Sequence, residues 1–544
     1  MMLPILVLVA LALVAPGNGF EDNDLHGIAY IQQTVADMDM SKRFYADVLG
    51  GLLITEWSRK NVQSDADYYR MFQKEIMEAE DKGVSPQSLG VPDIKTNGDH
   101  VMNWEFVLYD NCLLWLIQFT DEGGNLVRYY DQNAGTAKVG YGHMSFIGQD
   151  DTNPYQMIES IMDEEDKLGY EERGFISMDN VDTFAERRRY YDDGNINRFM
   201  FEMPADPVFP GSMFASTRGP SGERVEFGWR RDNDIGNMCE HETAHTLLLK
   251  HYPFQNNKYE KDRIKTLGFH HIALTVQNMT ASNLFYTKII GGKNIRLFNE
   301  KQFPAGPEFR NLIFQDDMLY AKDNNIPLDE TFGYVEIQQN LTNAGGFDLS
   351  FINFANYFLE LYSFYPKDPT KKKLLDREQN LTPAYLNNMH PGFWVKESMC
   401  LADFARHIEK EAKAMGWSEV KANRAQKVDV FGQDLEDDGY KGPAQSGDLE
   451  GFEYLFVKGL AGEQFSIAKF TGRAAKILKT KIMLYGGVST AFNETNPFVY
   501  NGHQEVCHKV EALFEASEAE MKKSGWDCFN QMGWSNFWDC VWKS

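Results

Sequence analysis

The chain has 544 residues, of which 43% are apolar, 13% aromatic and 24% charged. This composition can supply large buried cores and excludes a disordered protein. The 54 Lys and Arg residues are outnumbered by 79 Asp and Glu residues, so the formal net charge is −25. Such a surface repels phosphate backbones and anionic lipid headgroups, and we expect neither a nucleic-acid partner nor a membrane partner.

The first residues are typical of a secretory signal. An apolar run from Leu3 to Ala15 is followed by small residues before Phe20, which predicts a signal peptide over residues 1–19. The run is too short to span a bilayer as a helix. We therefore expect a secreted, extracellular protein.

Cysteines and glycosylation sequons fit an exported chain. The even number of cysteines permits three disulfide bonds of open connectivity, and the absence of CxxC spacing argues against a cysteine zinc site. The cysteines are Cys112, Cys239, Cys400, Cys507, Cys528 and Cys540. The Asn-x-Ser/Thr sequons, which predict glycosylated surface loops, are at Asn278, Asn340, Asn380 and Asn493.

An internal repeat is the strongest pattern in the chain. Residues 30–51, YIQQTVADMDMSKRFYADVLGG, align without a gap to residues 271–292, HIALTVQNMTASNLFYTKIIGG. Each copy begins as a strand, passes a polar turn, and continues as a short amphipathic helix with Phe-Tyr on its buried face before Gly-Gly ends it. The pattern predicts a strand–helix unit.

A second, weaker pair has the same organisation. GHMSFIGQ leads into a helical pattern at 153–170, and MHPGFWVKE leads into one at 401–417. Each of the four starts is followed by strand-rich sequence that closes on an apolar strand. We therefore predict an α+β protein of four βαβββ modules paired into two cupped mixed sheets. The predicted modules span 25–120, 140–230, 268–366 and 388–470, with a linker at 232–266 and a cysteine-containing C-terminal extension at 471–544.

The HHIALTV…FY…GG and PSGERVEF segments resemble the opening and closing strands of the vicinal oxygen chelate superfamily, which includes glyoxalase I and the extradiol dioxygenases. In that superfamily two modules face each other around a divalent metal. Its ligands come from one position in the first strand and one in the last strand of a module. The resemblance therefore implies a metal site and a small oxygen-chelating substrate.

Carried over residue by residue, the resemblance gives different ligands in each module. The second module offers His143 and Glu226, and the third offers His271 and Glu360. The fourth offers His390, but Ser466 stands where a glutamate is expected. The first offers Tyr30 and Trp115, which are not usual ligands.

Two pairings of the modules remain open on the sequence. If modules three and four pair, then His271, Glu360 and His390 form a two-histidine, one-carboxylate set suited to iron(II). If modules two and three pair, one site holds His143, Glu226, His271 and Glu360, and the other site has no ligand set.

The resemblance implies a lyase or isomerase that uses zinc or nickel and an enediolate-type intermediate. Glu226 and Glu360 are then the candidate catalytic bases. An extradiol-type iron dioxygenase is the alternative. A non-catalytic small-molecule-binding protein of the same fold is a further one.

A competing metal motif lies in the linker. His241, Glu242 and His245 form an HExxH sequence, with His251 six residues further on. On a helix the first two histidines share a face that could bind zinc. Leu248 replaces the glycine that such a peptidase motif requires, and we favour an amphipathic linker helix.

Overall fold

The computed structural model describes only part of the chain. The described residues are 25–62, 79, 81–85, 88, 100–109, 112–121, 142–147, 161, 164, 167, 200–203, 212–221, 223–229, 268–299, 346–354, 358–365, 389–422 and 447–485. The predicted signal peptide, the linker with its HExxH motif, and the extension beyond 485 lie outside these residues. Within them, no helix is long and apolar enough to cross a membrane.

The described part of the first module includes five strands and a short helix. The helix α1 spans Met38–Lys42 and continues as a π-helical turn, Arg43–Val48. The strands are β1 (Leu25–Thr34), β2 (Leu52–Leu53), β3 (Arg59–Val62), β4 (His100–Leu108) and β5 (Leu113–Asp121). A single 3-10 turn, Thr55–Trp57, separates β2 from β3.

The described elements of the second and third modules come next along the chain. The second contributes β6 (Gly142–Ile147), β7 (Met200–Met203), β8 (Ser212–Arg218) and β9 (Arg224–Trp229). The third contributes β10 (Phe269–Thr275), helix α2 (Met279–Leu284) with its π-helical turn (Phe285–Ile289), β11 (Lys293–Asn299), β12 (Gly346–Asn353) and β13 (Phe358–Tyr365). Most of the helix predicted at 153–170 lies outside the described residues.

The fourth module is followed by a helix of the C-terminal extension. Its elements are β14 (Met389–Val395), α3 (Leu401–Ala414), β15 (Lys421–Ala422), a 3-10 turn (Gly447–Leu449), β16 (Phe452–Lys458) and β17 (Gln464–Phe470). Helix α4 spans Gly472–Tyr485, and its Ala474, Ala475 and Leu478 are buried.

The sequence repeat has the local structure that was predicted. Asp37 caps α1 by accepting a hydrogen bond from the Met40 amide at 2.9 Å, and Asn278 caps α2 by accepting one from the Ala281 amide at 3.1 Å. Both Phe-Tyr pairs are fully buried. The turn after each π-helical segment needs a left-handed glycine, with φ of 78° at Gly50 and 100° at Gly291.

The strand order shows which modules share a sheet. A nine-stranded sheet has the order β15-β16-β17-β14-β1-β5-β4-β2, with β3 also on β4, and therefore joins modules one and four. An eight-stranded sheet has the order β11-β12-β13-β10-β6-β9-β8-β7 and joins modules two and three. The predicted α+β class with modules paired into two mixed sheets is confirmed. Of the two pairings left open, the structure has the second.

Both sheets turn one face toward a shared core. One buried cluster contains residues of both sheets and of the helices α1, α2 and α3. Its members include Ile31 and Leu116 of the nine-stranded sheet and Ile272 and Leu361 of the eight-stranded sheet. Because strand side chains alternate between faces, the neighbours of these residues point to the opposite face of each sheet. The nine-stranded sheet carries a second core there, which is rich in aromatic side chains and is covered in part by α4.

Two buried hydrogen bonds link consecutive modules. The Tyr45 hydroxyl of module one donates to Glu223 of module two at 2.6 Å, and the Tyr286 hydroxyl of module three donates to Glu463 of module four at 2.6 Å. Each glutamate lies in the hairpin before a closing strand. Each also accepts a hydrogen bond from a backbone amide: Glu223 from Ser221 at 2.8 Å, and Glu463 from Ala461 at 2.7 Å. The two sheets are therefore joined by the same contact twice.

Cysteines and sequons are only partly covered by the described residues. Cys112 is buried, Cys400 is exposed, and no disulfide joins these two described cysteines. The other four cysteines lie outside the described residues. Asn278 is exposed, as expected for a sequon.

Candidate metal centre

Four strands of the eight-stranded sheet place the predicted ligands of modules two and three together. β10 pairs antiparallel with β6 and parallel with β13, so that Ala273 lies between His143 and Glu360. β6 pairs parallel with β9, so that Ser145 lies between His271 and Glu226. All four side chains therefore lie on the face of the eight-stranded sheet that points away from the shared core.

The donor atoms of His143, Glu226 and His271 lie within 4.8 Å of one another, and Glu360 lies close to both histidines. The His271 Nε2 atom is 3.0 Å from Glu360 Oε2 and 3.5 Å from Glu226 Oε1. The His143 Nε2 atom is 3.6 Å from Glu226 Oε2 and 3.7 Å from Glu360 Oε2. The two Nε2 atoms are 3.3 Å apart.

These separations fit donors around one ion. Ligand atoms about 2.1 Å from a zinc ion lie about 3.0 Å apart at a right angle and about 3.4 Å apart at the tetrahedral angle. The five measured separations run from 3.0 to 3.7 Å. The donor set of two imidazoles and two carboxylates is also one that zinc, nickel and iron bind.

Burial adds a second argument for a cation. His143, Glu226, His271 and Glu360 are each less than 5% exposed. Glu360 Oε2 accepts no hydrogen bond from any described residue. When both carboxylates are ionised, the nearby Arg224 balances only one of the two negative charges, and a buried excess charge is costly. A divalent cation would compensate it.

The pKa values of the cluster reflect the same environment. Burial lowers the pKa of His143 well below its ordinary value, and the charges of Arg224 and His271 lower it further. Burial also raises the pKa of Glu226, although His271 and Arg224 act in the opposite direction. The imidazole of His143 is therefore held neutral, which is the form that binds a metal.

His270 occupies a different position from the one expected. Regular alternation predicts that its side chain points away from His271 and is only structural. The register of β10 against β6 shifts between Phe269 and His271, and in this bulge the His270 Nδ1 atom lies 2.7 Å from His271 Nδ1. If His271 binds a metal through Nε2, its Nδ1–H donates to His270, which fixes the orientation of the ligand ring.

Two further residues of the site were not predicted from the sequence. Arg224 is buried, and its Nη2 atom is 3.5 Å from Glu226 Oε2. Burial raises the pKa of the Tyr362 hydroxyl well above its ordinary value, as do the adjacent Glu360 and Glu226 carboxylates, and this hydroxyl is hydrogen-bonded to Glu360. Both residues could have been found from the alternation of side chains along a strand. Arg224 lies two residues before Glu226 and Tyr362 two residues after Glu360, so each points to the same face of the sheet as its glutamate.

The structure does not bring His390 to this cluster. His390 lies on β14 in the nine-stranded sheet, where it pairs with Gln32 of β1. The expected metal-ligand role of His390 and the iron site formed by His271, Glu360 and His390 depended on a pairing that the structure does not have. Burial lowers the pKa of His390 to about 3.

The nine-stranded sheet has other residues at the equivalent positions. Tyr30, Trp115, His390 and Ser466 occupy the positions of His271, Glu360, His143 and Glu226, in that order. The Ser466 hydroxyl donates to the Tyr30 hydroxyl at 2.7 Å. Only one of the four is a usual metal ligand, so the two sheets differ in the chemistry that they can support.

Comparison with known proteins finds relatives by structure only. No protein-family model and no curated protein sequence matches the chain. Glyoxalase I from Zea mays is a structural neighbour at 11% identity and a TM-score of 0.37, over 84% of this chain and 95% of that one. A putative dioxygenase from Bacillus subtilis has 9% identity and a TM-score of 0.35, over 83% and 87% of the two chains.

A third neighbour is the Mn(II)-bound glyoxalase from Novosphingobium aromaticivorans, with 10% identity and a TM-score of 0.15, over 82% of each chain. In this chain, the first strands of two modules lie side by side at the centre of each sheet.

Proposed function

We propose that the protein is a divalent-metal-dependent lyase or isomerase that acts on a small, oxygen-chelating substrate. The observation that carries the proposal is the convergence of His143, Glu226, His271 and Glu360, from four strands of one sheet, on a buried point. A purely structural cluster of this kind would be expensive, because it buries two carboxylates beside one guanidinium.

The four side chains would hold the ion, and the ion would act as a Lewis acid toward two oxygens of the substrate. Arg224 holds the Glu226 carboxylate from one side and limits its movement. Because the site is buried, the charge of the ion would act on the substrate more strongly than it would in water.

Of the two candidate bases, the contacts favour Glu360. Glu226 has the guanidinium of Arg224 beside it, with Arg224 Nη2 3.5 Å from Glu226 Oε2, which limits its movement. Glu360 has the neutral Tyr362 hydroxyl as its partner, and its Oε2 atom accepts no hydrogen bond from the described residues. Glu360 is therefore better placed to take a proton from the carbon next to a substrate carbonyl.

Metal identity distinguishes the reaction classes. Two histidines and two carboxylates favour zinc or nickel and proton-transfer chemistry, whereas iron(II) with one of the carboxylates displaced favours an extradiol-type dioxygenase. The specific observation behind the dioxygenase alternative is that His143, His271 and Glu226 form a two-histidine, one-carboxylate set.

The first experiment measures metal content by elemental mass spectrometry on the purified mature protein. His143→Ala and His390→Ala form a matched pair, because the two histidines occupy equivalent positions in the two sheets. We expect about one metal ion per chain in the parent, loss in His143→Ala and in His271→Ala, and retention in His390→Ala. A parent protein without metal after zinc, nickel and iron(II) have each been offered would contradict the proposal and leave a non-catalytic binding protein.

The second experiment tests the reaction class. Hydroxyacetone is a minimal chelating probe, and exchange of its carbon-bound hydrogens in D2O can be followed by NMR. We expect metal-dependent exchange in the parent, its abolition by a chelator, and its loss in Glu360→Gln with metal still bound. Exchange that persists in Glu360→Gln but disappears in Glu226→Gln would reassign the base.

Export is a separate part of the proposal. It is supported by the N-terminal apolar segment, the even number of cysteines and the sequons. N-terminal sequencing of the protein from a eukaryotic secretion host should give a mature end near Phe20. An uncleaved N-terminus in the cell fraction would contradict export without affecting the metal site.

A further inference from the structure

Three buried polar side chains lie side by side at the centre of the nine-stranded sheet. Gln32 of β1 pairs with His390 of β14 on one side and with Trp115 of β5 on the other. Directly paired residues of neighbouring strands point to the same face. All three side chains are at most 1% exposed.

None of these side chains has a hydrogen-bond partner among the described residues. The unpaired atoms are both side-chain heteroatoms of Gln32, both ring nitrogens of His390, and Nε1 of Trp115. Native proteins pair nearly all buried polar atoms, so a group of five adjacent exceptions needs an explanation. These five buried polar atoms, on three neighbouring residues, are therefore available to bind the polar group of a ligand.

The surroundings are aromatic. The Trp115 ring lies 5.2 Å from Tyr30, 5.1 Å from Phe106 and 5.4 Å from Tyr454, measured between ring centroids. The His390 ring lies 5.6 Å from Phe456. The nearby polar pair of Tyr30 and Ser466 is already satisfied by its own hydrogen bond.

We propose that this face of the nine-stranded sheet is a second ligand site, which binds a small neutral molecule carrying a carboxamide group. The site is distinct from the metal centre, which lies in the other sheet. A charged ligand is disfavoured because Gln32, Trp115 and His390 offer no counter-charge, and His390 is neutral at physiological pH.

A carboxamide matches the unpaired atoms one by one. Its carbonyl oxygen has two lone pairs, which can accept from the Gln32 Nε2–H and the Trp115 Nε1–H. Its NH₂ group has two donors, which can reach Gln32 Oε1 and one ring nitrogen of His390. Planar substituents on the amide can pack against the aromatic rings that surround the site.

Direct binding of benzamide and acetamide, measured by isothermal titration calorimetry on the full mature protein, tests this site. The key variant is Gln32→Leu, which removes the amide with little change in volume. Gln33→Leu is its matched control, because the adjacent glutamine points to the opposite face of β1. Toluene, which has the ring of benzamide without the amide, is the control ligand, and far-UV circular dichroism checks that each variant folds.

We expect one molecule of benzamide per chain, binding at least about tenfold weaker in Gln32→Leu and unchanged in Gln33→Leu, as the loss of buried hydrogen bonds implies. If Gln32→Leu does not fold, His390→Phe and a Trp115→Phe variant take its place with the same expectation.

Three results would overturn the proposal. Failure of both amides to bind the parent would mean that the polar atoms are met by buried water only. Equal binding to the parent and Gln32→Leu would place the ligand elsewhere. Toluene binding as tight as benzamide binding would show an apolar cavity with no amide recognition. None of these results depends on the metal centre.

Discussion

The two sheets of the protein have the same framework but carry opposite chemistry at the same four positions. The eight-stranded sheet places His143, Glu226, His271 and Glu360 there, and the nine-stranded sheet places His390, Ser466, Tyr30 and Trp115. The first set buries charge, whereas the second is mainly aromatic. The same backbone can therefore support a cluster of charged side chains in one sheet and a mainly aromatic, uncharged cluster in the other.

The difference has an energetic consequence. Trp115 lies among five aromatic rings and stabilises its sheet by burial and by edge-to-face contacts. Glu360 holds a carboxylate in a buried position, which favours unfolding unless a cation compensates it. We infer that the aromatic core of modules one and four stabilises the fold and offsets the free-energy cost of the buried carboxylates in modules two and three.

Substitution at the equivalent positions Trp115 and Glu360 gives the largest expected contrast. Trp115→Ala should lower the free energy of unfolding by about 3–5 kcal/mol, because it opens a cavity in the second core. Glu360→Gln should leave the free energy of unfolding of the metal-free protein unchanged or raise it, because it removes a buried charge. Urea denaturation in the presence of a chelator measures both, and similar losses in the two variants would contradict the division of roles.

The two Tyr–Glu hydrogen bonds that join the sheets should contribute equally to stability, whereas the two central clusters of the sheets differ in chemistry. Tyr45→Phe and Tyr286→Phe each remove a hydrogen bond to a buried glutamate, and each should lower the free energy of unfolding by about 1.5–3 kcal/mol. Tyr109→Phe is a suitable control, because the Tyr109 hydroxyl donates to the neutral Tyr45 carbonyl at 2.6 Å. Its loss should cost about 1 kcal/mol. A marked difference between Tyr45→Phe and Tyr286→Phe would show that the two contacts are not equivalent.

Much of the framework could be predicted from the sequence, because it is encoded locally. The Phe-Tyr-x-x-x-x-Gly-Gly segments specify a buried helix face and a left-handed turn, and both copies fold in that way. The choice between the two module pairings could not be predicted, since it depends on which first strands form hydrogen bonds at the centre of each sheet. β1 and β10 have similar sequences, and nothing in either specifies β14 or β6 as its neighbour.

The site was less predictable than the framework for two reasons. His390 has the sequence context of a ligand, but its role depends on the partner module. His270 was interpreted by regular alternation, and the bulge in β10 breaks that regularity. The register of β1 shifts at the equivalent place, between Ile28 and Tyr30, so the bulge is a property of the repeated strand rather than of the histidine.

The bulge provides the last and smallest test of the comparison. The nine-stranded sheet has Ala29 where the eight-stranded sheet has His270, so His270→Ala gives the proposed metal site the residue of the other sheet. Because His270 orients the His271 ring, we expect metal affinity to fall about 10–100-fold while the metal remains one per chain at saturation. Competition titration against a fluorescent chelator measures the change, with His407→Ala on the half-buried face of α3 as the control. An unchanged affinity would show that the ligand ring is held by its packing alone, and that the hydrogen bond in the bulge is not needed to orient it.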